Sequence, residues 1–363
     1  MISKNYFKSL GLAEILEKVT ASERLSIDDG RKLFECPDIT AVGALASMVR
    51  HRLHSDKTYY VLNRHINYTN ICVNGCKFCA YARERGEEGA FIFTKEQILE
   101  KLRSAPVKPR ETHIVGGCHP DLPLSFFEET LTAISEEFPE APIKAFTAVE
   151  IAHFAKLEGI STLEVLKRLQ KCGLVMMPGG GAEIFAEETR NKICPKKISA
   201  AEWLKVHSEA HSLGITTNCT MLFGHIESID ERLDHLDRLR KQQDASKGFT
   251  CFIPLPFLTE NSKLEIEDPL TGLDELRTIA ISRLMLDNIP HIKAYWVMLT
   301  VKQAQVALQF GADDFDGTVV EEKIGHMAGV NSEQALTRKE LEEMIRGCGF
   351  TPVERDPRFN LIS

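Results

Sequence analysis

Three cysteines lie close together in the run CVNGCKFC, at Cys72, Cys76 and Cys79. The thiolate is the soft metal ligand of proteins, and three thiolates on one short loop containing Gly75 can wrap a soft metal centre. They satisfy three irons of a cubane cluster whose usual complement is four cysteines. The fourth iron is then open to a ligand that is not protein, which suits chemistry beyond moving electrons. A structural zinc site competes with this reading, because cysteine pairs two to four residues apart are common there. Zinc wants a fourth ligand, however, and a second pair at zinc-ribbon spacing is missing. His65 stands at the opposite end of the strand expected before Cys72. A non-catalytic zinc-binding protein is therefore one alternative. Acid–base catalysis by a barrel lysine is another, since Lys144 and Lys293 lie in strand-like runs, though near their beginnings.

The remaining cysteines, Cys36, Cys118, Cys172, Cys194, Cys219, Cys251 and Cys348, read as small buried hydrophobes. With 43% hydrophobic and 26% charged residues, the chain has ordinary globular composition. A net charge of −8 speaks against a nucleic-acid partner, and Lys196-Lys197 reads as a pair of solvated loop positions. Lys4, Lys8, Glu14 and Glu17 interrupt the first segment, so it reads as an amphipathic helix and not a signal peptide. No run is apolar and long enough to span a bilayer. A cytoplasmic location with no membrane partner is expected.

Several alternating elements must position the thiols. Residues 1–60 read as a helical extension. Strand-like runs at 66–72, 111–117, 142–150, 174–181, 215–224, 249–257, 291–299 and 314–320 alternate with amphipathic helices. Thr94, Ser199 and Ser228 are expected to cap three of those helices. About eight strand–helix units close most simply as an α/β fold of the (β/α)8 TIM-barrel type, with its core at 61–320 and a C-terminal helical segment at 321–363. Residues at the C-terminal ends of the strands are then the site candidates: Cys72, Gly116-Gly117, Glu150, Gly179-Gly180-Gly181 and Gly224-His225.

The cysteine spacing after the first barrel strand, with Phe78 between the last two thiols, resembles the radical S-adenosylmethionine (SAM) superfamily. The resemblance implies a 4Fe–4S cluster on Cys72, Cys76 and Cys79, whose open iron SAM chelates. It places Phe78 near the adenine. It sets Gly116 and Gly117 against the methionine amino group and Glu150 against a ribose hydroxyl. The run 220–228 would line the adenine with backbone. The stretches NRHINYTNICVNGCKFCAYAR, THIVGGCHPDLP, KAFTAVEI, MPGGGAEIF, GHIES and DNIPHIKAYWVML are similar to the menaquinone-pathway group of that superfamily. GGCHPDLP and GADDFDGTVVEEKI favour its aminofutalosine synthase branch over the sister branch of cyclic dehypoxanthinylfutalosine synthases.

The favoured branch implies a transferase reaction. The 5′-deoxyadenosyl radical adds to the vinyl carbon of 3-[(1-carboxyvinyl)oxy]benzoate, so that SAM is a consumed co-substrate. An electron donor such as flavodoxin or ferredoxin is implied as well. The two substrate carboxylates need cations or N–H donors. His119, Gly180, Glu183, Arg190 and His225 are the candidates, with the 179–181 turn offering a backbone anion nest.

Overall fold

The computed structural model describes residues 4–320, 322–329 and 333–362. Residues 1–3 of the expected extension, and 321, 330–332 and 363 of the expected C-terminal segment, lie outside them. Strand β1 (Lys57–Val61) is followed by β2 (Asn63–Asn67), β3 (Glu111–Val115), β4 (Ile143–Ala145), β5 (Leu174–Met177), β6 (Thr216–Phe223), β7 (Phe249–Pro256), β8 (His291–Ile292), β9 (Asp314–Gly317) and β10 (Thr351–Glu354). Strands β2 to β8 form one seven-stranded sheet in chain order, and every neighbouring pair is parallel. Single parallel bridges, Lys293 to Asp314 and Arg64 to Val320, carry the curled sheet across the stretch around β9. The α/β barrel architecture read from the sequence is present in this form.

Side chains alternate across each strand. Ile66 on β2 and Ile114 on β3 belong to the apolar layer under the helices. His65 and His113, one position away and paired in register, face the lumen.

Three elements differ from the sequence reading. The extension ends in a strand, not a helix: β1 joins β9 and β10 in a separate three-stranded sheet, so the segment 321–363 also supplies a strand. The strand expected over 66–72 runs instead over Asn63–Asn67. Beyond it the chain is tied by side chains, with Asn70 Nδ2–H donating to Gly89 O at 2.9 Å and Phe91 N–H donating to Asn70 Oδ1 at 2.9 Å. The run 291–299 holds only two strand residues before the helix Trp296–Leu299 begins.

After β10, Arg355 turns into the lower end of the barrel and is 1% exposed. Its Nε–H donates to Asp314 Oδ2 at 2.5 Å, and its guanidinium lies 3.9 Å from Glu111 Oε2. Lys144 pairs with Glu111 at 2.9 Å, and Lys293 pairs with both Asp314 and Asp316. Branched apolar side chains fill the lumen of an ordinary barrel of this class. Here buried ion pairs hold the lower layer.

Candidate functional site

A cavity of about 330 Å³ opens at the C-terminal ends of the strands and runs down into the lumen. Cys72, Cys76, Cys79 and Phe78 line its upper wall. Cys72 lies in the loop beyond β2, and Val73, Gly75 and Lys77 between the thiols are exposed. A single zinc ion holds sulfur at about 2.3 Å, so its ligand atoms must crowd together. Among the described residues, His54, His291 and Asp313 form a group with ligand atoms within 4.8 Å of one another, and the three thiols do not. That group sits below the barrel and is already engaged. His54 Nε2 meets Pro290 O at 2.9 Å, and Asp313 is paired with Arg283. A thiol set on one loop, spread wider than one ion allows, fits a multi-iron cluster.

The thiols do not share one environment. Cys118 N–H donates to Cys72 Sγ at 3.4 Å, while Asn74 Nδ2–H donates to Cys118 Sγ at 3.2 Å. Hydrogen bonding from Cys118 and from the backbone of Asn74 pulls the Cys72 thiol down to about 5, against burial. Burial pushes Cys76 up to about 12 and raises Cys79 as well. Cys118, read as an inert packing residue, therefore stands at the cavity wall beside a site thiol.

The glycine pair is required by close approach. A Cβ on Gly116 would lie 2.7 Å from the Tyr68 ring, and one on Gly117 would lie 2.3 Å from Ile71 O. Glu150 does not end a strand. Thr147 and Glu150 form the capping box of the helix Ala148–Glu158. Glu150 Oε2 accepts from Thr147 N–H at 2.7 Å and Thr147 Oγ1 at 2.8 Å. Its Oε1 accepts from Gly116 N–H and Tyr68 OH, both at 3.0 Å. Glu150 thus pins the glycine ridge to the next helix, and burial pushes its carboxyl up to about 7.

The five substrate candidates divide. Gly180 and Glu183 line the cavity. Gly181 takes φ +87°, and a Cβ on Gly179 would lie 2.6 Å from the Cys219 backbone, so this turn is also a packing necessity. Glu183 is buried and paired with Lys197. Burial pushes its carboxyl up, but Lys197 more than reverses this and holds it below the usual range. Arg190, His119 and His225 are not brought to the cavity. The Arg190 guanidinium donates to Gly181 O at 2.9 Å and twice to Ile198 O, so it clamps the loop. His119 Nδ1 accepts from Asp121 N–H at 3.1 Å. His225 is held by Ile226 N–H, which donates to Nδ1 at 2.8 Å, and by Leu222 O at 3.1 Å from Nε2.

Lys197 corrects the solvated-loop reading most sharply. Its side chain lines the cavity, with Nζ 5.1 Å from the centre of the Phe78 ring. Burial works against the ammonium, but Cys76 and Glu183 hold its pKa well above the usual lysine value. A lysine four residues after a charged helix carries no sequence sign of this; only the path of the loop reveals it.

Residues 66–239 match the family model described as radical SAM superfamily, and residues 246–362 match the CofH/MqnC C-terminal region. The chain belongs to the radical SAM superfamily. It is 48% identical over 357 residues to aminodeoxyfutalosine synthase of Thermus thermophilus, covering 97% of this chain and 96% of that one. It is 40% identical to aminodeoxyfutalosine synthase of Streptomyces coelicolor, over 96% of this chain and 93% of the relative. Cyclic dehypoxanthine futalosine synthase of Halalkalibacterium halodurans is 35% identical, over 96% and 94%. Among solved structures, methylornithine synthase superposes with a TM-score of 0.75 at 19% identity, covering 93% of this chain and 96% of that one, which supports the radical SAM fold. The family implies a 4Fe–4S cluster and SAM. No described helix is long and apolar enough to cross a membrane.

Proposed function

We propose that the chain is an aminodeoxyfutalosine synthase of menaquinone biosynthesis, joining the 5′-deoxyadenosyl group of SAM to 3-[(1-carboxyvinyl)oxy]benzoate to give 6-amino-6-deoxyfutalosine. The observation that carries this reading is the 48% identity to the Thermus synthase across 97% of the chain, against 35% to the cyclising relative. Cys72, Cys76 and Cys79 hold the 4Fe–4S cluster. When bound, the cluster supplies the electron that cleaves the sulfonium of SAM.

The protein's own groups do the rest by position. Glu150 fixes the Gly116-Gly117 ridge, which lets a ligand meet backbone with no side chain between. Lys197, charged and half-buried beside Cys76 and Phe78, is placed to hold the carboxylate of the methionine end. Leu222, Leu255 and Phe257 give the cavity an apolar wall against which a reactive radical meets little solvent. The exposed residues Val73, Gly75 and Lys77 leave one side of the thiol loop open to a protein reductant such as flavodoxin or ferredoxin, in a cytoplasmic setting.

Anaerobic incubation with dithionite, SAM and the enolpyruvyl benzoate tests the reading. Mass spectrometry is expected to find the nucleoside joined to substrate carbon. Free 5′-deoxyadenosine formed only with a futalosine-derived nucleoside would replace this function with that of the cyclising relative. Cys76→Ala is expected to abolish SAM cleavage, and turnover retained in that variant would refute the ligand assignment.

A further inference from the structure

The cavity has a second, inner end that none of the groups above explains. Below the thiols it is lined by His65, His113, Lys144, Asn218, Lys293 and Asp316. Lys144 is 3% exposed and, among the described residues, makes one hydrogen bond, to Glu111 Oε1 at 2.9 Å. An ammonium has three donors, so two are unused. Lys293, by contrast, is shared between Asp314 and Asp316. Two further buried polar atoms at this end, His113 Nδ1 and Asn218 Oδ1, have no hydrogen-bond partner among the described residues. The His65 and His113 rings pack at 4.2 Å between centroids, tilted by 45° to each other, and line one wall beside these groups.

Buried polar groups left without partners are costly, so water or a polar ligand completes such a layer. Depth gives the ligand's shape. His113 and Gly117 are four residues apart along β3 and its exit. At a rise of about 3.3 Å per residue, the inner end lies about 13 Å below the glycine ridge. A flat arene bearing an anionic group on the side away from the reacting carbon spans such a depth.

We propose that the inner end of the lumen is the aryl-carboxylate subsite, with Lys144 as its anchoring cation and His113 Nδ1–H as a flanking donor, while the Asn218 Oδ1 acceptor is left to a water. This rests on the enolpyruvyl benzoate reading of the substrate. The ring carboxylate takes the two unused Lys144 donors, and the arene lies along the His65–His113 wall. Glu111 holds the ammonium in place before the substrate arrives, which lowers the ordering cost of binding. The subsite sets specificity for a carboxylated ring and touches none of the reacting atoms.

The test is equilibrium calorimetry on the cluster-loaded enzyme with SAM but no reductant, so that nothing turns over. The probes are 3-[(1-carboxyvinyl)oxy]benzoate and 2-phenoxyacrylate, which lacks only the ring carboxylate. In the parent enzyme the analogue is expected to bind roughly ten- to a hundred-fold more weakly, the range for losing charge-assisted hydrogen bonds. In Lys144→Met paired with Glu111→Gln, which leaves no orphaned carboxylate, the two probes are expected to bind alike. His113→Phe, which leaves the Lys144–Glu111 pair in place, is expected to narrow the ratio as well. Equal affinities in the parent, no binding of the benzoate, or a ratio unchanged in both variants would overturn the assignment. The reductive assay described above is read separately: a missing nucleoside adduct removes the proposed reaction, whereas the affinity ratio reads the inner end alone.

Discussion

Gly117→Ala isolates the part of the site that depends on backbone proximity. The added methyl would stand 2.3 Å from Ile71 O, 2.8 Å from the Ile71 carbonyl carbon and 3.0 Å from Cys72 Cβ. Ordinary contact begins at 3.4 Å, so the two chains must part by on the order of 1 Å. They are not free to do so. Gly117 N–H donates to Thr69 O at 2.9 Å, and Val73 N–H donates to Cys118 O at 3.1 Å. Overpacking costs about 1–3 kcal/mol and a lost backbone hydrogen bond about 1 kcal/mol more. The variant is therefore expected to lose about 2–4 kcal/mol in urea denaturation of the cluster-free protein. Displacing the loop that begins at Cys72 should also lower the iron bound after anaerobic reconstitution. Gly75→Ala is the control. Gly75 takes φ +56° but has nothing within 4 Å, so it should cost about 1 kcal/mol and load iron as the parent does. Full iron content and unchanged denaturation midpoint in Gly117→Ala would refute the close-approach argument.

Two further outcomes follow from buried charge. Lys197→Met leaves Glu183 buried without its cation and is expected to destabilise the fold by about 3–5 kcal/mol, and adding Glu183→Gln should recover most of that. Thermal or chemical denaturation of the single and double variants reads both numbers, and a single variant as stable as the parent would show the pair is not needed. Burial pushes the Glu227 carboxyl up, but His225, Arg232 and the Gly224 N–H pull it down to about 2. A folded pKa below the unfolded value of about 4.3 contributes about 3 kcal/mol above that pH, lost as the pH falls through the folded value. Glu227→Gln should flatten the decline of stability between roughly pH 4.3 and 2, and an unaltered acid limb would contradict the assignment.

Much of the architecture could be read from periodicity and capping. Thr94, Ser199 and Ser228 do cap the helices that follow them, each within a reciprocal capping box. Another box, Thr147-Ala-Val-Glu150, was equally visible but lay inside an apolar run, and the strand reading placed Glu150 at a strand end. Strands β1 and β10 were missed because each is completed by a partner nearly the whole chain away. The polar lumen left a trace, since Asn63, His65 and Asn67, and Glu111 and His113, recur at the two-residue strand period. Arg190 and Lys197 show what spacing alone cannot give. Both are cations in the same polar stretch, yet one is spent on loop carbonyls and the other on the cavity.

The position of Arg355 bears on how the molecule is made. Strands β1 to β9 precede residue 355 in the chain, so before β10 pairs, Glu111 has Lys144 and Asp314 has Lys293 but neither has the Arg355 guanidinium. The barrel's lower seal is thus completed only when β10 pairs with Lys57–Tyr60. Until β10 docks on β1, each of these two acids keeps a single lysine and lacks the guanidinium that bridges them, so the floor of the barrel sets late in folding.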